Sequence, residues 1–347
     1  MTTAKIDAHY RSFSKKVDML RIARERYLQA FKTDPLAGFM INKLRLSPLK
    51  SGLAGFFLVA LTYLAGGVVF SPGAKGIIGP PSGWLDALYD FSMIPITFFF
   101  FVWLAARLPY LFLRLHQNGV SLAKAPDLPD FAAHVLHKRV FNKTITTLAV
   151  MLALGLAAVH FVQILGGNAW GGAVDRGSAF HYLKIFLIWI PAWYMFFTIF
   201  ARELVFIREF RRAVRNYRLN LNLTNPDKCG GLRPLAEYLL QFSYYNAACG
   251  FGLSLLIIRS IKFGDFGSGI LVHLGIVAYL IVSFLLFLSP FHPIFLLMRK
   301  MKADIRARAK TMEWLIDRIL PLEILYKHAF ATFAPVVVLF LFIFKLL

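Results

Sequence analysis

Residues 147–168 read TLAVMLALGLAAVHFVQILGGN, 22 positions without Asp, Glu, Lys or Arg, and the closest basic residues before them are Lys138, Arg139 and Lys143. About 20 consecutive apolar residues is the length an α-helix needs to cross the hydrocarbon of a bilayer. No water is present there to satisfy peptide groups, so such a run must be helical. Working outward, six further runs lie near 52–72, 90–113, 183–203, 238–258, 268–298 and 328–347. The 347-residue chain is 58% hydrophobic, with no ten-residue alternating segments of the kind a membrane β-barrel uses. The expected fold class is all-α: a polytopic helical membrane protein of about seven transmembrane helices with cytoplasmic helical extensions. The second and sixth runs contain Pro95, Pro109, Pro290 and Pro293, which predicts tilted or kinked helices.

Basic residues alternate with these runs. Segments 1–50, 114–146, 202–236 and 299–327 hold 32 Lys and Arg, whereas the intervening segments hold 6 and Arg107 lies at the end of the second run. Cytoplasmic loops retain positive charge, so the N-terminus is expected inside and the C-terminus outside. The net charge of +21 is thereby accounted for by a cytoplasmic face against the anionic inner leaflet, and nucleic acid is not an expected partner. The first 50 residues are hydrophilic and predict no cleavable signal peptide, so the expected location is the inner or plasma membrane. Cys229 and Cys249 fall in a loop and a span, which argues against a disulfide.

Two regions follow: a cytoplasmic N-terminal region, 1–50, and a membrane domain, 51–347. Within the first, Ile6, Tyr10, Phe13, Val17, Leu20, Tyr27 and Phe31 predict an amphipathic helix over 4–32. The fourth span is expected to continue inward through Glu203, Phe206, Phe210, Val214 and Tyr217. The loop after the sixth repeats the pattern with Met301, Ile305, Met312, Leu315 and Ile319. Apolar stripes of this kind need a partner surface, and a cytoplasmic helical layer over 203–236 and 299–327 would supply one. No internal repeat supports an inverted-repeat transporter.

Several constellations are candidates for function. If 130–168 is one helix, Asp130, His134 and His137 share a face, and a carboxylate with two imidazoles is a metal-ligand set. Against that, Asp127 would cap the helix, Asp130 would complement its dipole, and i, i+7 ligands stand about 10 Å apart along the axis. No cofactor is expected. His116, His134, His137, His292 and His328 are expected near the inner face, where imidazoles could sense pH, and His160 lies mid-span. The fifth span opens with Gln241, Ser243, Tyr244 and Asn246, which with His160 are candidates for a polar pathway or for interhelical contacts. In the last span, Thr332, Val336, Val337, Val338 and Leu339 are candidates for a pore constriction that gates by dewetting, the alternative being ordinary helix packing. His-Glu-x-x-His, Gly-x-Ser-x-Gly and an intramembrane carboxylate pair are absent, so no motif points to catalysis.

The loop Pro226-Asp227-Lys228-Cys229-Gly230-Gly231-Leu232 builds a tight turn with positive φ, in which Asp227 can accept backbone N–H groups. It resembles a Pro-Asp-basic-x-Gly-Gly-Leu stretch of uncharacterised bacterial multi-pass membrane proteins, a likeness that implies no activity. The overall layout resembles the insect odorant and gustatory receptor channels. That resemblance implies a homo-oligomer whose final helix lines a shared pore, with cytoplasmic extensions as its anchor. Three readings follow: such a channel, a membrane scaffold recruiting a cytoplasmic protein partner, or a small-molecule carrier or membrane enzyme.

Overall fold

The computed structural model describes residues 33–69, 81–122, 135–165, 168–169, 172–173, 179–216, 219–222, 225, 230–263, 281 and 322–343. They form six long helices: α1 (Pro48–Val69), α2 (Pro81–Gln117), α3 (Lys143–Leu165), α4 (179–216), α5 (Arg233–Phe263) and α6 (Leu322–Ile343). Two antiparallel ladders of two residues each accompany them. One pairs Ser121 with Asn220 and Leu122 with Leu219; the other pairs Asn168 with Ala173 and Ala169 with Gly172.

Among the described residues, four stretches are long and apolar enough to cross a membrane: Pro48–Ala65, Asp86–Gln117, Lys138–Val162 and Phe180–Val214. They overlap the first four runs expected from sequence. The fifth run falls within α5 and the seventh overlaps α6 as far as Ile343, while residues 344–347 and all of the sixth run except Ile281 lie outside the described residues, as does the expected helix over 4–32.

α2 is the hub, packed against α1, α4 and α5, and two-thirds of its apolar stretch is buried. α3 leans on α4, and α6 on α5. α1 and α3 instead present Phe57, Leu61, Leu64, Met151, Val159 and Val162 outward. Apolar surface of that extent is tolerated when its solvent is lipid. Between helices lipid supplies no hydrophobic drive, so close backbone approach must hold the bundle. α3 accordingly meets α4 through Ala149, Ala153 and Ala157. On α1, Gly52 and Gly55 lie against Pro95 of α2, where an added Cβ would come within 3.3 Å of the Pro95 carbonyl and 3.2 Å of its Cα, respectively. Ser51 donates to the Phe98 carbonyl at 2.9 Å beside them.

The expected helix over 130–168 is not continuous. A π-turn, Leu136–Val140, ends at Phe141, and α3 begins afresh at Lys143. Asn142 is the reason: its side chain accepts the Thr144 N–H at 3.1 Å, and its carbonyl accepts those of Ile145 and Thr146. An Asn in that role starts a helix rather than continuing one. The continuation of α4 beyond the apolar run is present to Asn216, with Phe206, Phe210 and Val214 buried in the main core.

Candidate functional site

Among the described residues, acidic and basic groups meet inside the bundle at two places, and helix α4 supplies the cation to both. Near one end of α4, Lys184 is 5% exposed and its Nζ lies 2.6 Å from Oδ2 of Asp90 on α2, itself 1% exposed. Tyr63 of α1 donates to the same oxygen at 2.8 Å and receives a bond from Lys184 at 3.1 Å. Trp189 donates to Oδ1 at 3.0 Å. The rings of Tyr63, Trp189 and Phe180 stand 5.0, 5.2 and 5.7 Å from the ammonium, a cage that favours a cation electrostatically.

Local backbone makes this cluster possible. Residues five apart in an α-helix point about 140° away from each other at 3.6 residues per turn. Between Lys184 and Trp189 the helix is instead a π-turn, Ile185–Trp189, closed by the Ile190 N–H on the Ile185 carbonyl. The wider turn brings positions i and i+5 back to one face, so both side chains reach Asp90.

Further along α4, Arg202 pairs with Asp34. Asp34 is wholly buried and is also the N-cap of the turn Pro35–Ala37, its Oδ1 accepting the N–H groups of Leu36 and Ala37 at 3.0 and 2.9 Å. Tyr194 donates to Oδ1 at 2.6 Å. The Arg202 guanidinium lies 4.5 Å from the ring of Phe141 and 5.7 Å from that of Phe101. π-turns adjoin this site as well: Gly38–Lys43 follows the Asp34 turn, and Leu136–Val140 delivers Phe141. Beside it, Glu203 is buried, with Oε1 bonded by the Tyr238 hydroxyl of α5.

Eighteen residues separate Lys184 from Arg202, about 27 Å of helix and close to the thickness of a bilayer's hydrocarbon. Between them α4 carries no Asp, Glu, Lys or Arg, nor does α2 from Phe91 to Ala106. That interval is filled by rings, among them Phe98, Phe101, Tyr194, Phe200 and Tyr245. A buried ion pair is favourable only with good geometry and satisfied lone pairs, and both carboxylates meet that condition.

The residues singled out from sequence are distributed as follows. His160 is buried against Trp189 and Trp193, with ring centroids 4.3 and 6.4 Å away, next to the Lys184 cluster. Ser243 and Asn246 face the interior of the bundle, whereas Tyr244 is exposed. Ser243 donates to the Leu239 carbonyl and lies 2.8 Å from Nδ1 of His328 on α6, whose Nε2 is 3.5 Å from Thr332. Ser254 reaches the Pro335 carbonyl at 3.1 Å, so α5 and α6 are tied at two levels. Thr332 is buried, Val336 is half-buried, and Val337 is 54% exposed; Val338 and Leu339 continue the helix.

Gly230 and Gly231 adopt φ of 66° and 86°. They form a clasp in which Asn118 donates to the Gly231 carbonyl, Asn222 N–H reaches the Gly230 carbonyl, and Asn222 and Asn225 donate to the Asn118 carbonyl at 3.0 and 2.9 Å. A Cβ on Gly231 would sit 3.0 Å from that carbonyl oxygen. His116 ends α2 and its carbonyl accepts the Gly119 N–H. His137 lies in the Leu136–Val140 π-turn, off α3. Asp130, His134, Asp227 and His292 lie outside the described residues, and no metal-competent group of His, Cys, Asp and Glu occurs among the described ones.

Sequence reasoning missed Asp34, Asp90, Lys184 and Arg202: the two cations count only towards the loop charge, and the two carboxylates receive no reading. Part of the signal was there: in alternating topology Asp90 and Lys184 fall at one boundary, whereas Asp34 lies eighteen residues before the first expected span. Comparison with protein-family models, curated proteins and solved structures gives no match for this chain, so its own geometry must carry the functional reading.

Proposed function

We propose that this chain is one subunit of a homo-oligomeric ion channel of the inner or plasma membrane. In this reading seven spans run from a cytoplasmic N-terminus to an external C-terminus, and α6 lines a pore shared between subunits. The observation that supports it is the asymmetry of α6. One face is held to α5 through His328 and Pro335, while Tyr326, Phe330, Phe333 and Val337 are exposed at helical spacing on the other. A pore helix must be fixed on one side and face the axis on the other.

The exposed face is apolar, which suits a constriction that closes by excluding water. Val337 is its aliphatic member, whereas Thr332 is buried beside His328 on the same helix. Replacing Val337 by Asn is expected to raise basal ion flux from liposomes about tenfold or more, a loss of little over 1 kcal/mol from a dewetting barrier. Unchanged flux in Val337→Asn and Phe333→Asn, with oligomers intact, would overturn the channel reading. It would leave a scaffold or carrier.

A further inference from the structure

We infer that the groove between α2 and the start of α5 is a binding site for the headgroup of an anionic, hydroxyl-bearing phospholipid of the phosphatidylglycerol kind. Arg107, Tyr110 and Arg114 follow one another at i, i+3 and i+7 on α2 and line one wall; Glu237 and Gln241 of α5 line the other. Arg107 is exposed and forms no ion pair among the described residues; its guanidinium rests 5.9 Å from the ring of Trp103. Glu237 is already neutralised by Arg233 at 2.9 Å and Arg114 at 3.5 Å. Three guanidinium groups against one carboxylate leave a surplus of two positive charges. α5 adds the positive end of its dipole at the same place.

Depth selects a lipid. Arg107 lies 17 residues from Asp90 along α2, about 25 Å, which matches the level of Arg202 and the edge of the hydrocarbon layer. Arg114 is two turns further out, and Trp103 and Tyr110 sit on either side of Arg107 as aromatic residues do at an interface. A phosphodiester at that depth can be gripped by Arg107 and Arg114 while its acyl chains stay in the bilayer. Gln241 adds the preference for a hydroxyl. Its side chain lines the groove while its Oε1 is buried without a partner among the described residues, so turning the amide outward would give that oxygen a headgroup hydroxyl that a choline headgroup lacks and a glycerol headgroup supplies.

This inference rests on the orientation proposed above, with the N-terminus inside, and not on the pore. The test is native mass spectrometry of the full chain in detergent, titrated with phosphatidylglycerol, phosphatidylcholine or glycerol 1-phosphate. One phosphatidylglycerol should be retained in preference to phosphatidylcholine, and glycerol 1-phosphate should not be. Arg107→Gln should weaken that binding about tenfold through loss of one charge-assisted contact. Arg208→Gln, at an exposed arginine outside the groove, should not. Gln241→Leu should erode the preference over phosphatidylcholine while the melting temperature holds. Equal binding by Arg107→Gln and wild type, or equal losses in Arg107→Gln and Arg208→Gln, would overturn the site. Retention of glycerol 1-phosphate as tightly as the lipid would replace the lipid with a soluble phosphoester.

Discussion

The two buried ion pairs are built from different materials. Asp90–Lys184 is made entirely of side chains from three helices, since Tyr63, Asp90, Lys184 and Trp189 belong to α1, α2 and α4. Asp34–Arg202 is half backbone: Asp34 caps its own short turn and only then reaches α4. The first pair therefore fixes spans to one another. The second anchors a segment that precedes the first span onto the side of α4. Equal chemistry thus does unequal architectural work, and the mutational costs should divide accordingly.

The largest loss is expected for Asp34→Ala. It strands the Arg202 guanidinium, for about 3–5 kcal/mol, and removes a helix cap worth about 1 kcal/mol. Thermal unfolding in detergent should show it as the least stable variant of the series, with cleavage near residue 34 accelerated in limited proteolysis. Proteolysis unchanged from wild type would break the idea that this pair anchors the N-terminal segment.

Asp90→Ala should cost less, about 2–4 kcal/mol, because Lys184 has a flexible stem that can carry its charge towards the nearby headgroups. The double variant Asp90→Leu, Lys184→Met should recover most of that loss, since replacing a buried pair with apolar groups of similar size is often neutral. A double variant as unstable as Asp90→Ala would mean that the pair specifies how α1, α2 and α4 meet. The smallest effect, about 1–2 kcal/mol, is expected for Trp189→Phe, which keeps the ring but removes the indole N–H from Asp90. A larger loss would show that the π-turn depends on that bond.

Much of the helical scaffold was legible because 20-residue apolar runs have few alternatives in hydrocarbon. The runs at 90–113 and 183–203 reappear within α2 and α4, and the stripe Phe206, Phe210 and Val214 beyond the second of them is buried. What escaped was local. Neither an α-periodic reading nor a hydropathy window can register the extra residue in Ile185–Trp189 that turns Trp189 towards Asp90. Asn142 looked like one polar residue before a long span, yet its capping bonds divide the expected helix in two. The candidate site suffered from the same habit of counting. Lys184 and Arg202 entered the charge tally as loop residues, although each has a carboxylate partner more than 90 positions away.

The clasp at Asn118 has a mechanical consequence. Ser121–Leu122 and Leu219–Asn220 are joined edge to edge, and Asn118 is bonded to Asn222, Asn225 and Gly231. The chain from the end of α2 to the start of α5 is thereby short-circuited, with α3 and α4 hanging from the bypass as a closed loop. A pull on α2 passes straight to α5, and through the ties at Ser243 and Ser254 to α6. The intervening pair is held to the rest not along that backbone shortcut but by side chains, Lys184 with Asp90, Arg202 with Asp34 and Glu203 with Tyr238.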